Sequence, residues 1–354
     1  MSLAAAPRSI CLLRLSALGD ATHVVPLIRT LRRAWPQVPI TWILGKGEAK
    51  LMDGLEDVEL LVFDKSAGWR GMADLRRRLG GRRFEVLLHM QLALRANVLA
   101  TLVKADRRIG YDRARSKEGH SLVINERIPP GGHHVLDAFG QFCVPLGLAQ
   151  DQVEWDLPVP AAAREWAEHQ LPGTTPTLIV SPCSSHVLRN WAPERYAAVA
   201  DHAAGLGWRI AICGGRSDLE RRTADAILAA MRHPAVDLVG KDTLKQLLAL
   251  LERADLVLSP DSGPAHMANA MGTPVIGLFA CTDRERCGPY SDLRWSVNHY
   301  DEASRKFMHR PASALPWGKR VEFPGVMDLI GVDEVVARFD AFRATGAAPD
   351  QDAL

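Results

Sequence analysis

The sequence predicts an α/β protein built from two doubly wound parallel-sheet domains in succession. Short apolar runs alternate with segments of helical period along most of the chain, as expected of parallel strands joined by crossover helices. Over residues 151–176 that rhythm stops: four prolines and a short charged helix intervene before the alternation restarts. The 354 residues, 47% hydrophobic and 24% charged, suffice for two globular domains of ordinary size.

In the first domain, residues 1–150, the strand candidates are SICLLRL (9–15), ITWIL (40–44), LLVF (60–63), EVLLHM (85–90) and the less apolar RRIGY (107–111). Helix candidates lie between and after them, at 22–34, 71–79, 92–103 and 134–146. The second domain, residues 177–330, offers strands at 177–182, 209–215, 236–240, 255–260 and 274–280. Its helices are expected from Pro193, over 217–231, over 243–252 and from Gly263. An amphipathic helix (331–345) and a polar tail (346–354) end the chain, and no internal repeat stands out.

The formal net charge of +2 hides an asymmetry. Residues 1–150 hold 22 Lys and Arg against 14 Asp and Glu, a net +8; the remainder holds 21 against 27, a net −6. A basic half points to an anionic partner. The plainer reading is that Arg76–Arg78 and Arg82–Arg83 solvate one helix end. Nucleic acid is not expected, because the basic residues lack interleaved aromatic platforms. Six scattered cysteines without a Cys-x-x-Cys pair suggest a reducing cytosol. The N-terminus reads as a first strand rather than a leader, and no apolar stretch reaches the roughly 18 residues that span a bilayer. A cytoplasmic location follows as an expectation.

Ligands in doubly wound sheets bind beyond the carboxyl ends of strands, which directs attention to the strand-end loops. In SPDSGPAHMANAMGTPVIGLF a strand ends and Asp261-Ser262-Gly263 opens a helix, an arrangement suited to a diphosphate, with His266 one turn in. The plainer reading is a helix cap and a buried histidine. In SPCSSHVLRNWAPERY, Ser184 and Ser185 offer hydroxyls after a strand, and Arg189 a charged fork for phosphate oxygens, or else a polar loop with a surface arginine. Asp20 follows the first strand at Gly19-Asp20. Thr22 could cap the next helix in its place, leaving Asp20 for a ligand, and Pro26 should fall in that helix's first turn. Neither a GxxxxGK[ST] loop nor a GxGxxG fingerprint occurs.

Together, Gly19-Asp20, the Pro182-x-x-Ser185 and Arg189-x-Trp191-x-Pro193-Glu194 segment, and Asp261-Ser262-Gly263-x-x-His266 with Ala270, Gly272 and Pro274 resemble glycosyltransferase family 9. These are the ADP-heptose:lipopolysaccharide heptosyltransferases, and the likeness runs from about Ile10 to Phe279. It implies a GT-B fold, two Rossmann-like domains facing across a cleft, and an inverting transfer of heptose from ADP-heptose to the Kdo region of the lipopolysaccharide inner core. Asp261, Ser262, Gly263 and His266 would contact diphosphate and sugar, Ser184 and Ser185 would supply hydroxyls, and Arg189 would face the phosphates. Asp218 or Glu220 would meet the ribose, and Lys241 and Asp242 the adenine. Asp20 would be the catalytic base. No Asp-x-Asp triplet follows a strand, so neither a metal nor a cofactor is expected beyond the donor substrate.

An acceptor of lipid A bearing Kdo fits the basic first domain, with Lys46, Lys50, Lys65, Arg70, Arg113, Arg115 and Lys117 as candidate contacts. Such an acceptor also implies peripheral contact with the inner membrane. The chain departs from the family pattern in having Arg189 in place of lysine, Cys183 in place of glycine, and Ala280-Cys281-Thr282 in place of Gly-Pro-Thr. Segment 299–328 is unexpectedly long and reads equally as an acceptor-side elaboration or a surface loop. Two other readings stay open: a family 9 transferase with another nucleotide sugar or acceptor, and a non-catalytic nucleotide-binding protein on the same fold.

Overall fold

A computed structural model of the chain describes residues 5–346. It divides into two compact units, Met1–Pro158 and Val159–Leu354. Most of the predicted tail lies outside the described residues, and with it the chain's Asp-x-Asp triplet, Asp350–Asp352.

The first unit runs β1 (Ile10–Leu13), α1 (Leu18–Thr22), α2 (Val24–Ala34), β2 (Ile40–Gly45), α3 (Lys46–Met52) and β3 (Val58–Phe63). It continues with α4 (Gly68–Leu79), β4 (Arg83–His89), α5 (Leu94–Ala100), β5 (Lys104–Gly110), β6 (Glu126–Arg127) and α6 (Val135–Gly140). The strands form one parallel sheet in the order β3-β2-β1-β4-β5-β6. Ile10 pairs with Ile40 on one side and Val86 on the other, so β1 is central. Every residue of β1 and β2 is buried, which is why they read as unbroken apolar runs. On one face Cys11, Leu13, Ile43, Phe63, Leu75 and Leu99 pack into a common core.

The second unit runs α7 (Ala161–Gln170), β7 (Thr177–Val180), α8 (Pro193–Gly205), β8 (Arg209–Ile212), α9 (Asp218–Ala230), β9 (Val236–Asp237) and α10 (Leu244–Arg253). Then follow β10 (Leu256–Pro260), α11 (Gly263–Ala270), β11 (Val275–Phe279), α12 (Arg284–Cys287), β12 (Val297–Asn298), α13 (Tyr300–Met308) and α14 (Val332–Ala344). Its parallel sheet is ordered β12-β11-β10-β7-β8-β9, the same winding as the first. Helix α7, from the proline-rich stretch, docks on α10 through Arg164–Glu252 and Arg253–Glu168 ion pairs at 2.7 and 2.6 Å. Helix α14 closes the core, with Phe339 and Phe342 buried against Trp208 and Trp295.

Several elements differ from the sequence expectation. The helix expected over 22–34 is broken at His23, and its first piece begins earlier, at Leu18. The one expected over 134–146 gives way at Gln141 to a 3-10 turn that accommodates Pro145. Segment 299–328 is no plain surface loop. It forms α13, with Tyr300 and Ala303 buried, and Val321 N–H donates to Cys281 O at 2.8 Å. All six cysteines are buried free thiols. No described helix is long and apolar enough to cross a membrane.

Candidate functional site

In the second unit the predicted donor residues lie beyond the carboxyl ends of β7, β8, β9 and β10. Ser262 precedes α11 in extended conformation and Pro264 lies in the helix's first turn, so the N–H groups of Gly263 and Ala265 have no intrahelical carbonyl to meet and Pro264 has no N–H to satisfy. Ser262 shares a hydroxyl hydrogen bond with Ser259 at 2.8 Å. Asp261 lies 3.5 Å from His266 Nε2 and 3.6 Å from Arg189 Nη1. Burial alone would raise the Asp261 carboxyl, but His266, then Arg189 and the Thr282 hydroxyl, outweigh it and hold it at about 2. Asp261 is therefore a carboxylate at neutral pH, and Cys287 Sγ donates to it at 3.6 Å.

Arg189 closes a 3-10 turn at 187–189 and is 9% exposed. Among the described residues its guanidinium makes two loose ion pairs, to Asp261 and to Glu322 Oε1 at 3.5 Å, and buried Nε has no hydrogen-bond partner there. A buried fork of donors with so little to bind is costly unless something else takes them up. Ser184 N–H donates to Asn190 Oδ1 at 2.7 Å and its hydroxyl to His186 O at 2.9 Å, while Ser185 is exposed beside it.

Beyond β8, Glu220 accepts from Gly215 N–H at 2.7 Å and from the Ser217 hydroxyl at 2.6 Å. Both of its oxygens are thus occupied at the start of α9, whereas Asp218, two residues before it in the same turn, is exposed. Lys241 Nζ donates to Asp237 O at 2.6 Å. Asp242 is half-buried and its Oδ2 has no hydrogen-bond partner. Burial pushes its carboxyl up to about 6, against the pull of its own amide and Arg216 and with a further push from Glu220.

In the first unit Asp20 sits at the third position of α1. Its Oδ2 accepts from the Arg14 guanidinium and from Ala17 N–H at 3.2 Å. Arg14 is anchored on its far side by donating to Met90 O at 2.6 Å and lies over the Phe139 ring, 5.2 Å from its centroid. Thr22 does not cap the helix as expected; its hydroxyl donates back to Gly19 O at 2.7 Å, and Asp20 itself holds the helix start. Pro26 falls in the first turn of α2, as expected.

The basic candidates of this unit are not alike. Lys46 pairs with Asp64 at 2.6 Å and Lys65 with buried Glu48 at 3.5 Å. Arg70 lies over Trp69, and Lys50, Arg113 and Lys117 are exposed. Arg115 departs from the expectation of an acceptor contact. It is 8% exposed, donates to Asp112, to Pro129 O at 3.0 Å and to Gln141 Oε1 at 2.9 Å, and stacks on Tyr111. Its charge is spent inside the fold.

A family model for glycosyltransferase family 9 (heptosyltransferase) matches residues 72–317. The chain belongs to glycosyltransferase family 9. It is 37% identical over 334 residues to the lipopolysaccharide core heptosyltransferase OpsX of Haemophilus influenzae, covering 94% of this chain and 96% of that one. Among solved structures, the family 9 glycosyl transferase from Veillonella parvula superposes with a TM-score of 0.78 at 20% identity, covering 98% and 99% of the two chains. The ADP-heptose lps heptosyltransferase II of E. coli does so with a TM-score of 0.70 at 16% identity, covering 96% and 99%. These likenesses match the two six-stranded parallel sheets of the GT-B fold. The family 9 motif residues Asp261, Ser262, Gly263, His266 and Arg189 are those gathered in the second unit. Arg14 and Glu322 belong to no motif, and their pairings, across 6 and 133 positions, leave no signal in the sequence.

Proposed function

We propose that this family 9 enzyme transfers heptose from ADP-heptose to the Kdo region of the lipopolysaccharide inner core, with inversion and without a metal. The observation that carries the reading is Arg189, a buried guanidinium beside the first turn of α11 whose hydrogen-bonding capacity the protein leaves largely unused. The relative's name as a lipopolysaccharide core heptosyltransferase supports the acceptor class.

Asp20 removes the acceptor hydroxyl proton while that oxygen attacks the anomeric carbon, and the bond from that carbon to the diphosphate oxygen breaks on the opposite face. ADP leaves with its charge met by Arg189 and the first-turn N–H groups of α11. Ser184, Ser185, Ser262 and His266 hold the diphosphate and sugar. Asp218, Glu220, Lys241 and Asp242 line the ribose and adenine end. Lys46, Lys50, Lys65, Arg70, Arg113 and Lys117 meet the anionic acceptor, which also draws the enzyme to the membrane surface.

In this reading, fixed donors at the leaving group fill the role that a bridging metal would otherwise have. ADP release from ADP-heptose should appear with Kdo-lipid A and not with heptosylated Kdo-lipid A, and should persist in EDTA. Release with neither acceptor, or faster release from UDP- or GDP-sugars, overturns the substrate assignment. Asp20→Asn should lower kcat roughly 10²–10⁴-fold with the protein still folded.

A further inference from the structure

Segment 299–328 delivers a charged residue to the buried arginine. The hydrogen bond from Val321 N–H to Cys281 O fixes the backbone beside the end of β11. From there Glu322 points its Oε1 to within 3.5 Å of Arg189 Nη2, 3.6 Å of Arg320 Nη1 and 3.7 Å of His186 Nδ1. That oxygen is buried and makes no hydrogen bond. The other carboxylate at Arg189, Asp261, is held in addition by His266 and Cys287. Of the two anions on the guanidinium, Glu322 is the one tied by charge alone.

We infer that Glu322 is a built-in counter-anion that competes with the donor's diphosphate for Arg189 and so keeps the leaving nucleotide from binding too tightly. The inference rests on the reading of Arg189 as a diphosphate contact. An incoming diphosphate brings at least two negative charges to a guanidinium already faced by two carboxylates, and repulsion at these distances is large in a partly desolvated site. Glu322 has no hydrogen bond to give up when it yields, so the exchange costs little besides the ion pair itself. A carboxylate that served only to aim Arg189 would instead be expected to grip it with short, paired hydrogen bonds.

Titration calorimetry of the full-length protein with adenosine, AMP and ADP tests this. Glu322→Gln keeps the side chain's shape and removes its charge. It should tighten ADP about tenfold, AMP less, and adenosine not at all. Unchanged or weaker ADP binding, or equal tightening of adenosine, overturns the inference. Glu322→Ala gives the same comparison if the glutamine variant melts early. Arg189→Gln separates the two claims: it should weaken ADP and leave adenosine alone. If it leaves ADP unchanged, the diphosphate reading itself fails, whatever Glu322→Gln does.

Discussion

Asp20 holds the start of α1 and, in the proposed reaction, is also the base, two roles that a sequence treats as alternatives. Its carboxylate closes the first turn of α1 through Ala17 N–H and is paired with Arg14, which in turn hangs from the backbone of β4's end at Met90 O. The Arg14 guanidinium, itself tied to Met90 O, holds that carboxylate in one orientation. Replacing Arg14 by Met should therefore lower kcat/KM roughly 10- to 100-fold with the protein still folded, and Arg14→Lys should restore much of the loss. ADP affinity, measured alongside, should not change. Asp242 makes a second case. Its folded carboxyl lies at about 6, above the ordinary value of 3.8, so the native state is favoured below that ordinary value and loses stability as pH rises from there through 6. Asp242→Asn should raise the free energy of unfolding at pH 7.5 by on the order of 1–2 kcal/mol after solvent screening, and have little effect at pH 4, as read by urea unfolding at the two pH values. Asp261, Gly263 and His266 could be singled out because they follow the end of β10 within a few residues, and Arg189 because it lies in the polar loop that joins β7 to α8. Arg115 misled because a basic residue in a loop looks exposed until its partners at Asp112, Pro129 and Gln141 come into place.

At the scale of elements, strands buried on both faces announced themselves, while the edge strands β6 and β12, two residues each, carried too little pattern to be seen. Helix α13 was hidden for a different reason: only Tyr300, Ala303 and Ser304 of its nine residues are buried, so its apolar stripe is thin. The ends of β4 and β5 hold another arrangement without a sequence signature. His89 Nε2 and His120 Nδ1 both lie against Asn97 Oδ1, at 2.8 and 3.1 Å, while Tyr111 N–H donates to His120 Nε2 at 3.0 Å. Asn97 Nδ2 donates to Leu92 O and Glu118 O, so its oxygen is the acceptor and both rings give it a proton. The pair is neutral. Burial lowers His89 to about 3 and His120 to about 4, with the adjoining His120 ring adding to the effect on His89 and Arg127 to that on His120. Since both values fall below the ordinary 6.5, the unfolded chain takes up protons first, and stability drops as pH falls from about 6.5 towards 4. Each ring contributes a slope of up to about 1.4 kcal/mol per pH unit. His89→Leu should remove roughly half of that slope in urea unfolding followed between pH 7 and 5, leaving the His120–Asn97 contact in place.

At the scale of the whole molecule, two units with the same strand order carry opposite charge, and the basic one also holds Asp20. An anionic acceptor drawn to the first unit should feel ionic strength through the whole basic field. ADP bound as proposed, by a few buried donors of the net acidic second unit, should feel it less. The acceptor KM should thus rise several-fold between 50 and 300 mM NaCl while the ADP dissociation constant changes little. The second unit also has what it needs to stand alone. Its core is continuous from Leu178 to Phe342, and α7 and α14, the first and last helices of the unit, both dock on the unit's own helices and sheet. All of the proposed donor residues, from Ser184 to His266, lie within it, as does Glu322. A fragment of residues 159–354 should therefore fold cooperatively and bind ADP within a few-fold of the full-length protein, yet transfer no sugar, because Asp20 is absent. Restoration of ADP binding only on adding residues 1–158 would mean that the first unit supplies part of the nucleotide site, and Arg189 would lose its standing as the principal diphosphate contact.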